Sequence, residues 1–260
     1  MNELEKKVTI GITSITIVGV VIFSSFMDLS IVDSFYFVVT MLTTVEFRYL
    51  CKSNNVKYKC IEYEKENFLE LQQFLIHKDS TKNLIESDWR DMKFKETFDV
   101  FIGDLATTVT PVKDHDEIFK NIKNHLNPNG RLILKVPLRE NNNILTHEQI
   151  FSKYRKNLSH LNPFSAVWNE VVLADYDFKE DTMNSNTSLN KLTESYKKHI
   201  ITKYEFTEYK KRWGVMGDFK MNIPLKGKFL KKLKKHFTIE KITSGNDLYK
   251  KDVPIIILKK

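Results

Sequence analysis

Three acidic side chains and one tryptophan are the residues of this chain best placed to do chemistry. Asp104 ends the run FDVFIGD, Glu62 follows the alternating run VKYKCI, and Asp88 and Trp89 share the acidic turn in ESDWRD. Residues 99–102 form a short apolar run that stops at Gly103-Asp104, and residues 56–61 alternate as a strand that ends at Glu62. In open α/β sheets ligands sit beyond the carboxyl ends of the strands. Asp104 therefore stands where a carboxylate would face a ligand.

The elements that must position these residues can be read around them. Residues 98–138 predict strand, acidic turn, amphipathic helix, Asn-Pro-Asn-Gly turn and strand, which is one βαβ unit of a parallel sheet. Upstream, a helix is predicted over 47–53 and a second over 64–77, with Phe68, Leu71, Phe74 and Leu75 on one face. At the far end, residues 237–242 and 253–258 read as two short strands joined by a polar loop containing Gly245. Between them and the βαβ unit, residues 139–236 have helical character and carry Tyr154, Phe164, Trp168, Tyr196, Tyr204 and Trp213. That stretch is too long for a connection inside a compact domain and predicts an inserted cap.

Other catalytic patterns are absent from the sequence. His115, His125, His147, His160, His199 and His236 are scattered, with no HExxH or CxxC spacing, so no metal is expected. There is no Gly-x-Ser-x-Gly elbow and no Walker phosphate loop. Cys51 and Cys60 lack metal-site spacing and fit a reducing compartment.

The 260 residues leave room for one sizeable domain and an appendage; 42% hydrophobic and 28% charged content is ordinary for a globular protein and argues against a disordered chain. The net charge of +8 is partly local, in KGKFLKKLKK at residues 226–235 and in Lys259-Lys260. Such a surface can attract nucleic acid or anionic lipid. Lysine predominates over arginine without interleaved aromatics, so a solvated helix face is the preferred reading and nucleic acid is only weakly supported as a partner.

Residues 8–27 carry no charge and are long enough to span a membrane. A signal peptide is the rival reading, with Lys6-Lys7 as its basic end, although no small-x-small cleavage site follows. The next segment, DSFYFVVTMLTTV at residues 33–45, resembles the pore helix of a potassium channel running into its selectivity filter. In that family the threonine-valine pair continues as Gly-Tyr-Gly. Here Thr44-Val45 continues as Glu46-Phe47-Arg48, the filter is missing, and no channel is expected.

From Glu46 onward, the order of features resembles the class I S-adenosylmethionine-dependent methyltransferases, over roughly residues 46–138 and the last two strands. The resemblance implies that Glu62, after the second strand, hydrogen-bonds the cofactor's ribose, a role that suits a carboxylate accepting from two hydroxyls. It implies that Asp88 and Trp89 lie near the adenine, and that Asp104 serves the amino-acid end of the cofactor or the acceptor. Leu126-Asn127-Pro128-Asn129-Gly130 matches the family's Leu-x-Pro-x-Gly turn before its fifth strand, and residues 237–258 match its last two strands, one antiparallel. The glycine-rich turn after the family's first strand has no counterpart, because no glycine lies between Gly19 and Gly103. Either residues 35–40 form the first strand with a threonine-rich turn in place of glycines, or channel-like sequence has replaced that strand.

The expected fold is thus α/β, a Rossmann-like methyltransferase sheet with a helical insertion and an apolar N-terminal segment. Its predicted parts are residues 1–45, the cofactor-binding core at 46–138, the cap at 139–236 and the last two strands at 237–260. The function implied is methyl transfer from S-adenosylmethionine to an unidentified, small-molecule acceptor, with Tyr154, Trp168, Tyr204 and Trp213 as the expected acceptor surface. No general base is assigned, because methyl transfer works mainly by positioning. The alternatives are a catalytically inactive binding module of the same fold and a membrane-anchored protein held through residues 8–27. A cytoplasmic location is expected, with membrane association if residues 8–27 insert.

Overall fold

The computed structural model describes residues 57–63, 65, 66, 69, 81–142, 144–244 and 252–260. The expectations for residues 1–45, the helix over 47–53, most of the helix over 64–77 and the site of the missing glycine turn lie outside the described residues. Among those described, no helix is long and apolar enough to cross a membrane.

The chain divides into two compact units at Asp88/Trp89. In the first, β1 (Cys60–Glu62) and β2 (Leu84–Glu86) pair in parallel, with Cys60 opposite Leu84 and Glu62 opposite Glu86. The Ser87 amide donates to the Glu62 carbonyl at 2.9 Å, so the ladder continues one residue past β2.

The second unit is built on a four-stranded sheet. β3 (Phe98–Asp104) and β4 (Leu126–Lys135) run in parallel, β8 (Ile255–Lys259) pairs antiparallel to β4, and β7 (Thr238–Thr243) pairs antiparallel to β8. The order is β3-β4-β8-β7, so the last strand in sequence inserts between β4 and β7. Alternation explains the choice of face: Leu132 and Leu134 of β4 lie opposite Leu258 and Ile256 of β8, and all four are buried.

The connection from β3 to β4 is α1 (His115–His125), which buries His115, Ile118, Phe119 and Ile122 at helical spacing. Asp116 and Glu117 sit in its first turn and Lys123 in its last, complementing the helix dipole. It packs beside α6 (Lys226–His236), where the rings of Phe119 and Phe229 meet edge to face at 5.7 Å. Burying a phenylalanine side chain of this kind stabilises by roughly 1.5–3 kcal/mol.

The Asn-Pro-Asn-Gly segment is not a turn preceding β4 but an excursion within it. Phe98 pairs with Leu126 and Val100 with Arg131, so residues 127–130 loop out between two paired stretches. The buried Leu126 starts the ladder upstream of the turn, and a Cβ on Gly130 would fall 2.8 Å from Leu126 Cδ2. Only glycine leaves space for so tight a return.

The stretch after β4 forms α2 (His147–Asn157), α3 (Pro163–Ala174), α4 (Ser185–Lys197) and α5 (Lys203–Met216), with β5 (Met183–Asn184) paired antiparallel to β6 (Lys220–Met221). Sequence-encoded caps start these helices. Thr146 with Gln149 and Thr202 with Glu205 form capping boxes, and Asn162 caps α3 ahead of Pro163. Phe151, Val171, Leu192, Tyr209 and Trp213 share one apolar core. A polar seam crosses it: Asp175 accepts from Ser188 Oγ, lies 3.6 Å from Lys191 Nζ and 3.2 Å from His147 Nε2, and His147 Nδ1 is 2.8 Å from Ser195 Oγ. The His147–Asp175 contact lacks the alignment of a hydrogen bond, so we read the seam as charge compensation for a buried carboxylate.

Candidate functional site at the strand ends

The carboxyl ends of β3 and β4 converge on one ion pair. Asp104 and Lys135 are register partners, and Lys135 Nζ lies 3.9 Å from Asp104 Oδ1. Their side chains are 55% and 33% exposed, so solvent screens the pair and its contribution stays below about 1 kcal/mol. A carboxylate held this weakly remains able to accept from an incoming ammonium or hydroxyl.

Trp89 belongs to the same place. A Cβ built on Gly103 would sit 3.6 Å from the Trp89 ring, so the indole lies along the strand end one residue before Asp104. The backbone of Trp89 is held by α1: Asn121 Nδ2 donates to the Trp89 carbonyl at 3.3 Å and to the Arg90 carbonyl at 2.5 Å. Arg90 in turn pairs with Asp114 at 3.3 Å. A side chain at Gly103 would touch the ring at ordinary contact distance but would crowd Leu134 Cδ2 at 2.9 Å, so it is Leu134 that favours the glycine.

Glu62 and Asp88 lie in the first unit. β1 and β2 are parallel, so Glu62 at the end of β1 and Asp88 just past β2 share the carboxyl end of that pair, and both are half-buried. The structure thus assembles the expected residues as two couples, Glu62 with Asp88 and Trp89 with Asp104.

The loop that leaves Asp104 was not legible as part of a site. Leu105 takes a left-handed backbone with φ 57°, and its amide donates to the Lys135 carbonyl at 2.9 Å. Thr108 closes the turn through its amide and its Oγ1, both bonded to the Leu105 carbonyl. His115 Nε2 lies 3.0 Å from the Thr107 carbonyl and 3.2 Å from that of Thr110. Both partners only accept, so Nε2 carries the proton. Burial of the ring pushes the His115 pKa below the ordinary histidine value, keeping it neutral. Lys135 and Asn222 are not singled out by the sequence, and His115 stands there only among the scattered histidines; the threonine-rich run TTVTP, just ahead of His115, is a local turn signal.

The aromatic residues expected to face an acceptor mostly do not. Tyr154 and Trp213 are buried in the apolar core shared by α2–α5, Tyr154 donates to the Leu161 carbonyl at 2.8 Å, and Trp168 packs half-buried against the same cluster. Tyr204 remains 54% exposed. Four helices packed together need an apolar interior, and their largest side chains fill it.

No family model and no curated protein matches the chain. Solved structures that resemble it include the PH0226 protein from Pyrococcus horikoshii OT3, with 13% identity and a TM-score of 0.48 over 82% of this chain and 76% of that one. An S-adenosylmethionine-dependent methyltransferase from Clostridium acetobutylicum gives 13% identity and a TM-score of 0.46, over 82% of this chain and 78% of that one. The glycopeptide N-methyltransferase MtfA, complexed with S-adenosyl-L-homocysteine, gives 9% identity and a TM-score of 0.46, over 83% of this chain and 77% of that one. Likenesses at this level decide neither fold nor chemistry, which rest on the strand order and side chains of this chain.

Proposed function

We propose that the protein binds S-adenosylmethionine and transfers its methyl group to a small-molecule acceptor in the cytoplasm. The observation that carries the reading is the strand order β3-β4-β8-β7, with antiparallel β8 inserted beside β4 and an acidic residue ending β3. In the first unit, parallel β1 and β2 carry Glu62 and Asp88 at their carboxyl ends, two further carboxylates of the type the reading needs.

The residue types suit the cofactor's hydroxyls and ammonium. Glu62 would accept from the ribose hydroxyls, Asp88 and Trp89 would flank the adenine, and Asp104 would meet the amino-acid end or the acceptor. When bound, the cofactor supplies a sulfonium-activated methyl. The protein's part is to orient it and to keep the charged end paired.

A second reading, a binding module without catalysis, is favoured by the absence of any glycine between Gly19 and Gly103. Close approach of backbone to cofactor normally uses a glycine there. Titration calorimetry of S-adenosylmethionine into the full chain, with Glu62→Ala as control, tests both. Micromolar binding that the substitution weakens by roughly 1.5–3 kcal/mol supports the enzyme. Absence of heat and of any thermal stabilisation removes it.

A further inference from the structure

We propose that Asn222 and His115 form a latch by which the cap sets the position of the Asp104 turn, coupling cap packing to occupancy of the strand-end site. The proposal deepens the cofactor reading above and rests on it.

Asn222 follows β6 in the cap and is 3% exposed. Its Nδ2 lies 3.1 Å from the Thr107 carbonyl, 2.8 Å from that of Thr108 and 2.6 Å from that of Thr110. Its own amide donates to the Thr108 carbonyl at 2.8 Å. His115, fully buried at the start of α1, directs Nε2–H at the same Thr107 and Thr110 carbonyls. Three carbonyls of one short loop therefore turn inward onto two residues, His115 of α1 through its ring and Asn222 through its side chain and its backbone amide.

The loop meets these carbonyls only in part: the Thr110 hydroxyl donates to the Thr107 carbonyl at 3.2 Å, while the Thr108 hydroxyl and amide go to Leu105. Buried carbonyls without donors are costly, so the loop's path depends on both side chains being in place. The loop begins at the residue after Asp104 and is pinned to β4 by the Leu105 amide on the Lys135 carbonyl. Removing the Asn222 side-chain donor leaves the residue-222 amide on Thr108 and His115 on Thr107 and Thr110, and so loosens the turn that carries the carboxylate while the sheet beneath it stays paired.

The test compares full-length Asn222→Ala with Leu192→Ala, which opens a cavity in the cap core away from the loop. Both are measured for thermal midpoint and for S-adenosylmethionine affinity by calorimetry. A latch predicts that Asn222→Ala weakens binding at least tenfold while Leu192→Ala, at an equal or larger loss of midpoint, stays within twofold of wild type. It also predicts that His115→Phe behaves as Asn222→Ala, whereas His115→Gln, which keeps a donor near Nε2, restores affinity. Equal affinity losses in Asn222→Ala and Leu192→Ala overturn the latch. If Asn222→Ala does not fold, the His115 pair carries the same comparison. If the wild-type chain binds no cofactor, the cofactor reading fails separately, and amide exchange decides the latch. Exchange at Leu105 and Thr108 must then rise at least tenfold in Asn222→Ala and not in Leu192→Ala; unchanged exchange overturns it.

Discussion

Lys135 Nζ lies 3.9 Å from Asp104 Oδ1, across the carboxyl ends of two adjacent parallel strands. The lysine screens the carboxylate without sequestering it. Lys135→Ala should therefore change stability by less than about 1 kcal/mol. Asp104→Ala should leave stability similar but weaken S-adenosylmethionine binding roughly tenfold or more, as loss of a charge-assisted hydrogen bond would. Urea denaturation and calorimetry on the two variants check the pair of outcomes.

Gly103 makes room for Leu134 and lies beside the Trp89 ring. In Gly103→Ala the new methyl would meet buried Leu134 Cδ2 at 2.9 Å, and a destabilisation of about 1–3 kcal/mol is expected from overpacking. The indole is the next neighbour, so tryptophan fluorescence should shift together with the denaturation midpoint. A midpoint equal to wild type would show that the strand end relaxes freely.

Between α2 and α5, Arg155 grips both carboxylate oxygens of Glu205, at 3.0 and 2.9 Å, while the Thr202 amide donates to Oε2 at 2.6 Å. Glu205 is 1% exposed and completes the capping box of α5. Glu205→Ala removes the cap and the ion pair together and should cost about 2–3 kcal/mol, discounted because Arg155 stays partly in solvent. Arg155→Ala leaves the buried carboxylate with less compensation and should cost at least as much. Chemical denaturation of both variants is the check.

The neutral state of His115 makes stability depend on pH with a definite sign. Its folded-state pKa lies below the unfolded value near 6.5, because burial disfavours the cation. The unfolded chain binds the proton first. The contribution of His115 is thus fully present above about pH 6.5 and is lost as pH falls toward and through the lowered folded value. Subtracting the pH profile of His115→Gln from that of wild type between pH 5 and 8 should leave this slope. A flat difference would place the ring in solvent contact.

Legibility followed sequence distance. The apolar run ending at Gly103-Asp104, the helical spacing of Ile118, Phe119 and Ile122, and the two terminal strands were readable because each depends on neighbours within a few residues. So was Glu62 as the last residue of a strand. The basic run at 226–235 was read as a solvated face, and Lys228, Lys231 and Lys234 are indeed exposed. Its other lysines have partners distant in sequence: Lys226 pairs with Glu140, Lys235 with Asp116, and Lys232 donates to the Val112 carbonyl. The aromatics of residues 139–236 were visible as a group, but whether they line a surface or fill a core depends on how four helices meet.

By itself, then, the sequence determined local states: which runs extend, where helices begin, and which acids stand at strand ends. These follow from side-chain periodicity and capping, which act over one or two turns. Tertiary structure alone decided that β8 enters between β4 and β7, that Trp89 lies along Gly103, and that Asn222 reaches the carbonyls of Thr107, Thr108 and Thr110 from more than a hundred residues away. Such contacts leave no periodic trace, because they are chosen by the burial of polar groups that must find partners wherever the packed chain brings them.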